Sequence, residues 1–280
     1  MRLTLTRDIE EFAARTSAYL AARPERNVPA TVVANIRSGA YEPDTALFAY
    51  VLNDYGDVTA IAMRTPPWPM MVTDTDDPEL ASELVARWLA EAPELDGVGG
   101  EPAAVRAFVA AWEEQTGGRS HVTFTEAMHS LSSVTDPPRP APGSLREANS
   151  RDRELLIRWE LDFIDDAGIG EKAGVERRID NRLRARGAHI WEHDGAPVSM
   201  LGTSPIVAGT ARIGPVYTPP DHRNCGYASS AVAAVSRKLL GTGAELVMLY
   251  TDLANPTSNR IYASVGFVRF GSWEEFSLAR

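Results

Sequence analysis

The residues best placed to do chemistry lie between Gly214 and Phe267. In Thr218-Pro219-Pro220-Asp221-His222-Arg223-Asn224-Cys225-Gly226-Tyr227-Ala228-Ser229, an apolar run enters a polar turn and then a stretch of small residues. The pattern predicts a strand, a loop and a helix start. The first N–H groups of a helix have no intrahelical partner and carry a partial positive charge. Small side chains at Gly226, Ala228 and Ser229 let a phosphate approach those groups, and Arg223 adds a fixed cation with a donor fork. Further along stands Asn255-Pro256-Thr257-Ser258-Asn259-Arg260-Ile261-Tyr262, then Gly266-Phe267, which places a phenol on a helix. Carboxylates cluster at Glu160, Asp162, Asp165 and Asp166; Asp162 and Asp166 share a helical face. His189 and His193 fall on one side of a strand and Glu192 on the other. Each can serve as a base, and each is equally at home on a solvated face.

The elements that must position these residues follow from periodicity. Helices are expected over 151–167, 175–186, 226–240 and 256–265, the last with Pro256 in its first turn. Strands are expected at 188–194, 197–202, 210–217, 245–251 and from Phe267 onward. The first half repeats this order. Helices are expected at 12–22, 28–38, 79–90 and 102–115, and strands at 47–52, 58–64, 70–73 and 121–127. Short local matches support a duplication: Met63-Arg64-Thr65-Pro66 with Leu201-Gly202-Thr203-Ser204-Pro205, and Pro102, Arg106 and Phe108 with Pro256, Arg260 and Tyr262. Between the halves, residues 135–143 hold four prolines in nine positions. That density excludes a helix or central strand and predicts a stiff linker. The expected organisation is a domain over 1–134, a linker over 135–143 and a domain over 144–280.

The loop and the tyrosine together resemble the GNAT superfamily of acetyltransferases. That family's acetyl-CoA loop reads Gln/Arg-x-x-Gly-x-Gly/Ala, matched by Arg223 to Ala228, and the segment from Asn255 through Tyr262 to Gly266-Phe267 sits where the family carries the same arrangement. The resemblance covers roughly residues 144–280. It implies an α/β (α+β) fold of tandem domains, each a mixed, mostly antiparallel central sheet flanked by helices. It also implies an acyltransferase that moves acetyl from acetyl-CoA to a primary amine. By the same resemblance, the backbone of Val216 and Thr218 pairs with the pantetheine arm and an N–H near Tyr217 serves the oxyanion. Residues Asn224, Cys225, Gly226, Tyr227, Ala228 and Ser229, with Arg223, hold the pyrophosphate. Asn255, with Ser258 and Asn259, meets the pantetheine end, and Tyr262 protonates the departing thiolate. Asn224 and Cys225 stand where the family often has glycine or a basic residue. The alternative is a non-catalytic acyl-CoA-binding sensor, which would keep the same loop without an acceptor and which Tyr262 separates from an enzyme, or an interaction module with a vestigial site, against which the intact Arg223–Ala228 loop and Tyr262 argue.

In the first half, the equivalent loop is Val72-Thr73-Asp74-Thr75-Asp76-Asp77-Pro78-Glu79, with four carboxylates and no arginine or glycine, and Phe108 stands for Tyr262. A pyrophosphate would be repelled there, so a degenerate copy is expected. Charge agrees. Residues 1–135 carry 10 Arg, no Lys and 20 Asp plus Glu, whereas residues 136–280 carry 18 basic and 18 acidic residues. This acidity disfavours nucleic acid and anionic membrane as partners. One cysteine leaves no disulfide framework, five dispersed histidines suggest no metal site, and the N-terminus lacks an apolar leader. A cytoplasmic protein is expected. Oligomeric state and acceptor are not legible.

Overall fold

The computed structural model describes residues 1–43, 45–168, 170 and 172–280. The chain forms two compact units, Met1–Met128 with Phe270–Arg280, and His129–Arg269.

The first unit comprises β1 (Arg2–Thr6), α1 (Ile9–Ala21), α2 (Val28–Arg37), β2 (Leu47–Leu52), β3 (Val58–Arg64), β4 (Met70–Thr73), α3 (Pro78–Glu91), β5 (Gly97–Gly100), α4 (Pro102–Thr116) and most of β6 (Arg119–Leu131). Its core is built on Trp88, Trp112 and Phe108, which project from α3 and α4 and are fully buried against the sheet. Helix α3 starts where the Asp77 side chain accepts from the N–H groups of Glu79 and Leu80, with Pro78 at the first position. Strand β1 lay outside the sequence expectation, and so did β5, whose Gly-Val-Gly-Gly sequence has low strand propensity. A side chain at Gly100 would meet the Val72 carbonyl at 2.6 Å, so the close approach of β4 requires glycine there.

The second unit holds β7 (Ser144–Glu147), α5 (Arg153–Ala167), α6 (Val175–Arg184), β8 (Ala188–His193), β9 (Ala196–Thr203), β10 (Thr210–Tyr217), α7 (Tyr227–Gly241), β11 (Leu246–Asp252) and α8 (Pro256–Val265). Its strand order is β11-β10-β9-β8-β7. One apolar cluster packs α7 and α8 on the sheet around Val232, Val235, Val247 and Val265. Another packs α5 and α6 around Leu156, Ile179, Ile190 and Met200.

The final strand, β12 (Val268–Ala279), is a difference from the sequence reading, which placed it with the second half. From Phe270 on it belongs to the first unit, whose order is β1-β2-β3-β4-β5-β12-β6. It pairs antiparallel with β5 from Glu274↔Gly100 to Ser277↔Gly97, and Phe276 and Leu278 enter the first core. Arg106 of α4 clamps Glu274 through two hydrogen bonds of 2.8 and 2.6 Å. Periodicity identifies a strand but not its partner, so this pairing was invisible in the sequence.

Candidate active site

In the second unit, β10 and β11 run parallel and are registered from Thr210↔Leu246 to Arg212↔Met248, where the ladder stops. On its other side β10 pairs with β9, with a bulge between Ile213 and Val216. Pro215 lies inside that bulge and has no N–H to give a ladder. Among the described residues no β10–β11 pairing is registered for 213–217, so β11 does not close that edge of β10. Ser199 of β9 fixes the strand end: its hydroxyl donates to the Tyr217 carbonyl at 2.9 Å and lies 2.9 Å from the Thr218 hydroxyl. Sequence reasoning missed Ser199, although a serine in the apolar run Val198–Leu201 was the available signal.

The loop after Thr218 leads into α7. Asn224 (φ +63°) and Gly226 (φ +81°) are both left-handed, which Asn tolerates and Gly takes without penalty. Gly226 occupies the N-cap position and no side chain caps the helix, so the amides at its start are unclaimed by a capping group. Ser229 bonds back to the Gly226 carbonyl at 2.9 Å, and Ala228 is half-buried. Tyr227 is buried and its hydroxyl meets His193 Nδ1 at 2.8 Å, so its side chain anchors the loop. Cys225 is exposed, with Sγ 3.5 Å from the Arg223 carbonyl.

Arg223 does not extend freely into solvent. Its Nε donates to the Thr218 carbonyl at 2.9 Å and its Nη2 to Asp166 at 2.5 Å, tying the loop to α5. The donor fork expected from sequence to meet the pyrophosphate is thus engaged by Asp166 and the Thr218 carbonyl.

Helix α8 is capped by Asn255, whose Oδ1 accepts from Ser258 N–H at 3.1 Å and whose Nδ2 makes no hydrogen bond among the described residues. Asn259 is spent internally, donating to the Asp252 and Asn255 carbonyls and accepting from Thr251. It shapes the β11–α8 turn rather than facing outward. Tyr262 is buried, its ring edge-on to Phe267 at 6.0 Å. Burial pushes its phenol up to about 12.

Most of the candidate bases are engaged. Glu160 is buried, bonded to Arg182 at 2.6 Å and facing Arg178 at 3.6 Å. Glu192 pairs with Arg146, Asp165 with Lys172 and Asp166 with Arg223. Burial, with the charge of Lys238 second, holds His189 down to about 4. Asp162 is half-buried and has no ion pair among the described residues. It lies close enough to Tyr217 that its charge, with that of Asp166, adds to burial in raising that phenol. Among the described residues no group of His, Cys, Asp and Glu is arranged to hold a metal, and no helix is long and apolar enough to cross a membrane.

The first unit lacks this geometry. There β4 and β5 stay paired from Met70↔Val98 to Val72↔Gly100, the last residue of β5. At the loop, Asp74 accepts from the Tyr19 hydroxyl at 2.5 Å and Arg26 at 2.9 Å and faces Arg23 at 3.3 Å, while Arg26 also binds Glu101. The protein's own carboxylates hold the arginines, and the strands do not part.

Residues 153–267 match the acetyltransferase (GNAT) family. No curated protein sequence matches the chain. Among solved structures, the whole chain superposes on a GNAT-family acetyltransferase from Colwellia psychrerythraea, with TM-score 0.64, 9% identity and 100% of both chains covered. A tandem GNAT protein of the clavulanic acid biosynthesis pathway gives TM-score 0.61 and 16% identity over 99% of this chain and 98% of that one. A GCN5-related N-acetyltransferase from Sphaerobacter thermophilus gives 0.61 and 16% over 98% and 95%. At such identities the likeness is one of fold. The family match assigns an acetyltransferase (GNAT) domain to residues 153–267, and the structural likeness gives the whole chain a tandem GNAT fold.

Proposed function

We propose that the second unit binds acetyl-CoA between the ends of β10 and β11 and transfers its acetyl group directly to a primary amine. The observation that carries this reading is the end of the β10–β11 ladder at Arg212 and Met248, in the unit whose α7 starts without a side-chain cap. An extended pantetheine arm adds to the free edge at Val216 and Thr218 as a strand would. The pyrophosphate sits on amides between Asn224 and Ser229, in a loop held rigid by Arg223 and Ser199. The amine nitrogen attacks the thioester carbonyl, and an N–H near Tyr217 stabilises the oxyanion. The carbon–sulfur bond then breaks and the thiolate takes the Tyr262 proton. Asp162 is the carboxylate left to accept the amine's proton, directly or through water.

The test is calorimetry of acetyl-CoA binding on the full chain, followed by thiol release with a panel of amines. Wild type binds, Arg223→Ala binds more weakly, and Asp162→Asn binds normally but releases thiol slowly. A folded wild type that does not bind acetyl-CoA would refute the reading.

A further inference from the structure

The Pro-rich segment expected to be a linker is instead docked along α7. Asp136 pairs with Arg237 near the end of the helix. The Ala141 N–H donates to the Ser230 hydroxyl at 2.8 Å, and the Pro142 carbonyl accepts from the Trp191 indole at 2.9 Å. Pro137 is buried. The segment thus passes from the far end of α7 to its start, where a Cβ at Gly226 would stand 3.1 Å from the Arg139 carbonyl oxygen. Prolines at 137, 138, 140 and 142 fix φ on both sides of Arg139 and leave the backbone little freedom to lose. Arg139 is exposed and makes no hydrogen bond or ion pair among the described residues.

The site has a charge deficit that this residue can fill. Acetyl-CoA brings a pyrophosphate and a 3′-phosphate, whereas the loop's own arginine is paired with Asp166. We infer that the docked Pro-rich segment is part of the cofactor site and that Arg139 places its guanidinium on a phosphate of the bound cofactor. The inference rests on reading the α7 loop as the phosphate site. A planar guanidinium is suited to a phosphate oxygen pair. The role belongs to the segment between the two expected domains and lies outside the Arg223–Ala228 motif.

The experiment is calorimetry of CoA and of dephospho-CoA, which lacks the 3′-phosphate, on full-length wild type, Arg139→Ala and Arg139→Glu, with melting temperatures measured alongside. Arg139→Ala is expected to weaken CoA about 5- to 20-fold, the scale of a charge-assisted hydrogen bond partly open to solvent. Arg139→Glu weakens it further, and melting is unchanged because the side chain is exposed. An equal loss with dephospho-CoA assigns Arg139 to the pyrophosphate, and a loss confined to CoA assigns it to the 3′-phosphate. Equal affinities for all three proteins overturn the inference. So does tighter binding by Arg139→Ala, which would make the segment an obstruction. Absence of binding by wild type would instead sink the reading of the loop itself.

Discussion

Replacing Tyr262 by phenylalanine separates catalysis from packing. The residue is buried, and burial alone accounts for the shift of the phenol to about 12, with no hydrogen bond contributing. The hydroxyl makes no hydrogen bond among the described residues, so its removal costs no internal bond and stability should stay level or rise by up to about 1 kcal/mol. The ring remains, and so does its edge-on contact with Phe267. The catalytic effect should be much larger. A phenol at about 12 and a thiol near ~8.5 differ by ~3.5 units, about 5 kcal/mol against transfer in the ground state. The proton must therefore move as the carbon–sulfur bond breaks, and loss of a positioned acid typically costs about 10²- to 10⁴-fold. Because folding favours the neutral phenol, its contribution to stability is complete below pH ~10 and is lost as pH rises toward about 12. Thiol release should therefore show no loss of the acid form up to pH ~10. The measurements are thiol release with an accepted amine, acetyl-CoA binding and a thermal melt, each on both proteins. A variant with unchanged turnover and a lowered melting temperature would refute the argument and make Tyr262 a core aromatic.

Three further outcomes test the rest of the structure. His189 is held neutral, with its pKa down to about 4 from 6.5, so its contribution is present above pH ~6.5 and is lost as pH falls toward 4. It amounts to about 3 kcal/mol at most, and His189→Gln should flatten the pH dependence of denaturant midpoints in that window. Arg26→Ala leaves Asp74 and Glu101 facing each other across the first unit's loop. Stability should drop by about 1–3 kcal/mol in denaturant titration while acetyl-CoA affinity stays at the wild-type value; a loss of affinity would place a cofactor in the first unit. Phe276→Ala, in the strand that β12 adds to β5, should cost about 3–5 kcal/mol of first-unit stability, read by hydrogen exchange on α3 and α4.

Long amphipathic segments were legible in the sequence. Helices α3, α4, α5 and α7 each carry apolar residues at a steady 3.6 period, and β10 was expected at the range it occupies. The α7 loop was legible because small residues and a left-handed asparagine announce a tight strand-to-helix turn. Three kinds of feature were not. Short strands such as β5 carry too few residues for a period to emerge. Asp166 reads as a solvated carboxylate until the fold brings Arg223 to it. The run of prolines dictates an extended backbone equally well for a free linker and for a segment packed on a helix; only Ser230, Trp191 and Arg237 decide between them.

The placement of β12 bears on how the protein is made. Synthesis proceeds from the first unit through the second, yet the strand between β5 and β6 is not emitted until residues 270–280 follow. Nascent chain that has finished α4 and β6 exposes the edge of β5 and the unfilled side of its core, a template for any stray strand. A ribosome stalled within the second unit would hold this open sheet for the length of the pause. A gene split at the Pro-rich segment would leave it open permanently, so the two halves are better recombined by exchange of whole chains than by domain shuffling.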